Sequence, residues 1–121
     1  DMAKIATEAG ERIGVDVTFE RDEIELFEEY VGPGYGEVTP GCLEAMAVLA
    51  RTEGILVDPS YSGKALAGLI DHIRTGQLDP DQPVVFVHTG GTPALFVYNE
   101  VLSEQIEARR LELAGSPSPA G

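Results

Sequence analysis

The stretch GILVDPSYSGKALAGLID (Gly54–Asp71), read with its counterpart PVVFVHTGGTP (Pro83–Pro93), decides the fold. Each opens on a short apolar run, Ile55-Leu56-Val57 in one and Val84-Val85-Phe86-Val87 in the other, of the kind a strand buried on both faces of a parallel sheet needs. Each run passes directly into a loop rich in glycine and hydroxyl groups. The first loop feeds a helix marked by Leu66, Leu69, Ile70 and Ile73 and closed by Gly76. Just upstream, Thr39 as N-cap and Pro40 at the first position open another helix, with Leu43, Met46, Ala47 and Ala50 on one face and Gly54 at its end. Helices alternating with strands at this spacing predict an α/β chain, a parallel sheet flanked by helices. In such sheets ligands bind at the carboxyl ends of the strands, so the two loops belong on one edge.

Outward from this centre the signals are plainer. Met2 to Gly14 carries Ile5, Ala6, Ala9 and Ile13 at helical spacing, and Val15, Val17 and Phe19 alternate with polar residues as a half-buried strand would. The acidic stretch Glu20–Glu29 reads as a solvated face, and Ile24, Leu26 and Phe27 within it fit a short strand or a turn equally. Gly32-Pro33-Gly34-Tyr35-Gly36 must be a loop, because three glycines and a proline in five residues suit neither helix nor strand. Residues 101–114 read as a C-terminal helix and 115–121 as a disordered Pro/Ser/Gly tail.

Composition narrows the function. The 121 residues suffice for one core, and 43% hydrophobic content fits a globular chain. A formal charge of −13 argues against nucleic acid or an anionic membrane as partner, since both need a positive field. No apolar run approaches a membrane span. A lone Cys42 and an N-terminus without signal-peptide order point to a reducing cytoplasm. Asp1 in place of Met hints that the chain starts within a longer protein.

If the Gly32–Gly36 loop joins the same edge, Tyr35, Tyr61, Ser62 and Thr89 share one crevice. Phenols can stack on or hydrogen-bond a flat heteroaromatic ligand, and a threonine hydroxyl can bond a ring nitrogen without adding charge. His72 and His88, 16 residues apart without a neighbouring ligand set, do not read as a metal site. Gly90-Gly91 is neither GxGxxG nor a Walker loop. The plainer readings are packing or surface roles for the tyrosines, a satisfied core position for His88, a solvated Lys64 and a buried, apolar Cys42.

At these loops the sequence resembles a known family. YVGPGYG (Tyr30–Gly36), LARTEGILVDPSYSGKALAGLID (Leu49–Asp71) and VVFVHTGGTPALFVY (Val84–Tyr98) look like the C-terminal part of the D-cysteine desulfhydrase and 1-aminocyclopropane-1-carboxylate deaminase family. These are pyridoxal-phosphate enzymes of the tryptophan-synthase β-like fold. The resemblance runs in order from about Val15 to Tyr98 and implies that residues 1–100 are the C-terminal part of the large domain. It implies pyridoxal 5'-phosphate as cofactor, a small amino acid as substrate and a homodimer in the full-length form. The family's cofactor lysine and phosphate loop lie N-terminal to the matched region, so the chain would need that region as partner and be inactive alone. Its own lysines, Lys4 and Lys64, stand in no similar context.

By the same resemblance Thr89 bonds the ring nitrogen, with Gly90 beside it. Tyr61 stands next to the cofactor near the substrate, Tyr35 lines the pocket and Ser62 completes the wall. The deaminase branch is similar but carries Glu at the position of Ser62 and Leu at that of Thr89, so the match is closer to the desulfhydrase branch. The implied reaction is D-cysteine to pyruvate, hydrogen sulfide and ammonia by β-elimination. Deaminase or cysteate sulfo-lyase activity is the alternative within the family. A non-catalytic α/β binding module is the alternative outside it, and a nucleotide-binding half-domain ranks last.

Overall fold

The computed structural model describes residues 2–115, with side chains described through residue 108. Helix α1 (Met2–Arg12) ends where Gly14 turns left-handed at φ 77°, and the Val15 amide closes back on the Gly10 carbonyl at 2.9 Å. The alternating segment that follows is not a strand. Its Phe19 amide donates to Thr7 Oγ1 on α1 at 2.9 Å, so the chain is tied to a helix side chain where a ladder partner would be needed. Two 3₁₀ turns, Arg21–Glu23 and Glu28–Tyr30, bracket Ile24–Phe27.

The centre of the molecule is the pair α2 (Pro40–Glu53) and α3 (Ser62–Arg74). Helix α2 starts as its sequence demands, with Thr39 Oγ1 accepting from the Cys42 amide at 3.2 Å, and stops at Gly54 with φ 68°. Its buried residues are Cys42 and Ala45, each one position before a member of the predicted face Leu43, Met46, Ala47 and Ala50, of which Met46 packs against the core. The reason is close approach: a Cβ added to Gly63 would lie 2.7 Å from Cys42 Sγ. Small residues face small residues, and Met46 and Leu49 flank a core of Ala45, Val57 and Leu66 together with Leu69, Ile70 and Phe86. Cys42 is fully enclosed, its thiol donating to the Pro59 carbonyl at 3.3 Å, and burial pushes it up to about 11.

On the outer side of α3, His72 meets Phe27 and Tyr30 edge-on, and Tyr30 donates to Asp71 Oδ2 at 2.6 Å. That hydrogen bond to a carboxylate, more than burial, pushes the Tyr30 phenol up to about 12. After α3 come a 3₁₀ segment, Thr92–Phe96, and helix α4 (Asn99–Gly115). The tail expected over 115–121 lies, beyond Gly115, outside the described residues.

The expected sheet is absent among the described residues. Residues 55–57 and 84–87 form neither helix nor strand, and no backbone hydrogen bond joins the two. Only Val57 and Phe86 reach the core; Leu56 is 52% and Val85 88% exposed. Runs of three or four residues gain too little alone to hold a ladder, which needs neighbours on both sides.

The turn between Val57 and α3 is built without a sheet. Asp58, 1% exposed, receives the amides of Ser60 and Tyr61 on Oδ2 at 2.8 Å each. Its Oδ1 takes the Ser62 amide at 2.9 Å and the Ser62 hydroxyl at 2.5 Å. Burial works to raise this carboxyl, but the Ser62 hydroxyl and the three amides outweigh it and hold Asp58 below its ordinary range. Lys64, one turn into the helix, is not solvated. It is 7% exposed, and its Nζ donates to the carbonyls of Val31 at 2.6 Å and Gly34 at 3.2 Å, tethering the Gly32–Gly36 loop to α3.

Two outcomes follow for stability. Lys64→Met keeps the apolar stem and leaves both carbonyls without their cation, so urea unfolding should show a loss of about 2 kcal/mol; an unchanged midpoint would count against the tether. Because the folded value of Asp58 is depressed, its contribution is present above the unfolded value of about 3.9 and is lost as pH falls through the folded value. The stability gap between wild type and Asp58→Asn should therefore shrink on acidification below about pH 4. A gap independent of pH would contradict this.

Candidate functional site

Three loops meet at the N-terminal end of α3: residues 32–36, the Asp58–Ser62 turn, and residues 88–91. The first contact is between phenols. Tyr61 Oη donates to Tyr35 Oη at 2.7 Å, with the rings edge-to-face and their centroids 5.7 Å apart. Both side chains face outward, Tyr35 80% and Tyr61 57% exposed. The bond to Tyr35, ahead of burial, raises the Tyr61 phenol above its ordinary value, so Tyr61 keeps its proton.

A second contact comes from Tyr98, a residue that the sequence motifs contained but that carried no assigned role. Its hydroxyl donates to the Gly36 carbonyl at 3.0 Å and lies 3.1 Å from Ser60 Oγ. Since its proton goes to Gly36, Ser60 is the donor of the second bond. One phenol thus joins the first loop, the second loop and the segment leading into α4.

The third contact brings in the 88–91 loop. Gly91 has φ 90°, and a Cβ there would fall 2.7 Å from the Asp58 carboxyl carbon. Only glycine fits against the buried carboxylate. Ser62 Oγ lies 3.4 Å from the Gly90 carbonyl oxygen. His88 Nδ1 accepts from the Gly90 amide at 3.0 Å, and Nε2 lies 3.0 Å from the Leu56 carbonyl oxygen. His88 is thus fully hydrogen-bonded but exposed, where the sequence suggested a core position.

Among the site residues expected from sequence, Tyr35 and Tyr61 are in direct contact and Thr89 and Gly90 are exposed on the adjoining loop. Ser62 is 2% exposed, its proton committed to Asp58 and its oxygen accepting the Asp58 amide at 3.2 Å. Its hydroxyl shapes the turn and is not free for a ligand. Asp58 and Lys64 were the residues sequence reasoning missed. Asp58 sits four residues before Ser62 in a D-P-S-Y-S turn, a spacing that invites side-chain capping of a helix start.

The groups offered outward are neutral: two phenols, the Thr89 hydroxyl and the open face of Gly90, whose added Cβ would meet nothing within 4 Å. This set suits a flat ring with a nitrogen acceptor. It does not suit a phosphate, because the ammonium of Lys64 is spent on two carbonyls and Lys4 pairs with Glu8 on α1 at 3.7 Å. Among the described residues no cluster of His, Cys, Asp and Glu could hold a metal ion, and no helix is long and apolar enough to cross a membrane. A groove of about 260 Å³ between α2 and α3, lined by Tyr30, Glu44 and Arg74 among others, shares no residue with these loops.

Known proteins are similar to this chain. D-cysteine desulfhydrases of Salmonella typhi and Salmonella newport (strain SL254) are each 49% identical to the chain over 77 residues, 64% of this chain and 24% of theirs. The chain therefore spans about a quarter of the length of these curated relatives. A crystal structure of an ACC deaminase homologue superposes with a TM-score of 0.67 at 35% identity, covering 84% of this chain and 29% of that one. Residues 2–90 match the family model described as pyridoxal-phosphate dependent enzyme. With residues 2–90, most of its length, in that match, the chain belongs to the pyridoxal-phosphate dependent enzymes.

Proposed function

We propose that this chain is the C-terminal part of a pyridoxal-phosphate lyase acting on D-cysteine, and that it supplies the side of the site facing the pyridine ring. The observation that carries the reading is the convergence of Tyr35, Tyr61 and the Thr89-Gly90 loop on one turn, with only neutral groups presented outward. Bound pyridoxal phosphate acts as an electron sink that lets an amino acid lose its α-proton and then a leaving group from Cβ.

In this proposal Thr89 bonds the ring nitrogen. A neutral hydroxyl there withdraws less charge than an acid would, giving a milder sink, and this suits β-elimination because the departing thiolate carries electrons away. Tyr61 would stand beside the cofactor near the substrate as a protonated phenol, and Tyr35, which accepts its hydrogen bond, would line the pocket. Ser62 contributes to the wall through the turn it shares with Asp58. The products would be pyruvate, hydrogen sulfide and ammonia. The neighbour in structure is an ACC deaminase homologue, but Ser62 and Thr89 favour elimination from D-cysteine over the deaminase reaction.

The partner is the N-terminal region of the enzyme, carrying the cofactor lysine and the phosphate loop; without it the chain is inactive. Strands of that region would pair with the runs 55–57 and 84–87 into the parallel sheet and cover Leu56, Val85 and Val87. Residues 1–100 complete the large domain, and the C-terminal helix expected over 101–114 lies within α4. The assembled enzyme is a cytoplasmic homodimer.

Combining the chain with the N-terminal region of the Salmonella typhi relative tests this. Thr89→Leu should weaken cofactor retention about tenfold, the worth of one buried hydrogen bond. Tyr61→Phe should lower D-cysteine turnover by about two orders of magnitude with retention intact. Unchanged turnover in both variants would refute the assignment.

A further inference from the structure

We propose that His88 is the positioning residue that sets Thr89 for the ring nitrogen, an assignment that rests on the ring-side reading above. A nitrogen that accepts a hydrogen bond carries no proton, so acceptance by Nδ1 from the Gly90 amide at 3.0 Å places the ring proton on Nε2. Nε2 then donates to the Leu56 carbonyl, also at 3.0 Å. A single neutral tautomer satisfies both bonds.

The consequence falls on Thr89. It stands between His88 and a pair of adjacent glycines at φ 97° and 90°, a permissive stretch of backbone. Left to themselves, Gly90 and Gly91 would let the Thr89 hydroxyl sweep a wide arc. Asp58 occupies the space beside Gly91, and the imidazole holds the Gly90 amide. The bond to Leu56 references this loop to the neighbouring run, which feeds the Tyr61 turn. His88 thus couples the position of Thr89 to that of Tyr61 while touching neither the ring nor the substrate.

Side-chain length separates the two bonds. Asn places an amide oxygen near the position of Nδ1, whereas Gln places its amide nitrogen near that of Nε2. In the isotope-labelled 121-residue chain, His88→Gln should speed hydrogen exchange of the Gly90 amide about fivefold and shift the Thr89 resonance. His88→Asn should keep Gly90 exchange within about twofold of wild type. Wild-type exchange in His88→Gln, or equal exchange in the two variants, overturns the proposal. The ring nitrogen shifts of unsubstituted His88 test it without any variant: a proton on Nε2 supports it and a proton on Nδ1 overturns it. In the complex with the N-terminal region, adding pyridoxal phosphate should move the Thr89 resonance. If exchange and tautomer behave as expected but Thr89 ignores the cofactor, the positioning of the loop stands and the ring-side reading falls.

Discussion

A carboxylate removed from water and satisfied almost wholly by backbone amides holds this molecule's chemistry in place. Asp58 receives three successive N–H groups and the Ser62 hydroxyl, at the start of a helix whose dipole also favours a negative charge there. A buried charge without such partners would be costly. With them, it dictates the path from residue 58 to residue 62 and hence the direction in which Tyr61 leaves the backbone. The same carboxyl group fills the space beside Gly91, so the loop that carries Thr89 is gauged against the loop that carries Tyr61.

Around that centre the remaining loops are tied by single polar side chains reaching main-chain groups. Lys64 holds the carbonyls of Val31 and Gly34, Tyr98 that of Gly36, and His88 bridges Leu56 and Gly90. Such bonds specify geometry more than they add stability, since each exchanges a bond to water for a bond to protein. Their common feature is that every acceptor lies in a segment with no helix or ladder of its own. Loops rich in glycine have the most freedom to lose, and here they receive the most tethers.

The sequence announces α2, α3 and their ends clearly, because Thr39, Pro40 and Gly54 each act within a few residues of themselves. The three glycine-rich loops are equally legible, but the shared sheet edge expected to bring them together is not there; they meet at the N-terminal end of α3 through Tyr61, Tyr98 and Asp58. What sequence alone conceals depends on distant partners. Lys64 looks like a helix-surface lysine until the Val31 and Gly34 carbonyls, some 30 residues away, are brought to it. Ser62 looks like a free hydroxyl until its O–H is seen donating to Asp58 Oδ1. Cys42 is buried outside the predicted stripe of α2 because it sits, with Met46, against the glycine at the start of α3, a fit that hydrophobic spacing does not encode. The apolar runs 55–57 and 84–87 have strand composition, but composition cannot supply the neighbours a parallel strand requires.

Two kinds of stabilisation therefore divide the molecule along the same two runs. On the loop side, polar contacts within the chain fix Tyr35, Tyr61 and the 88–91 loop without a sheet. On the strand side, Leu56, Val85 and Val87 are apolar and in contact with water, and burying them would be favourable in proportion to the area removed. These terms act on different atoms and are separable. Covering the runs 55–57 and 84–87 would stabilise the whole while leaving the Asp58 turn and the Tyr35–Tyr61 pair as they stand. A face arranged this way is held by contacts within the chain, so covering the apolar side has little of its shape left to fix, the condition under which binding costs least in ordering.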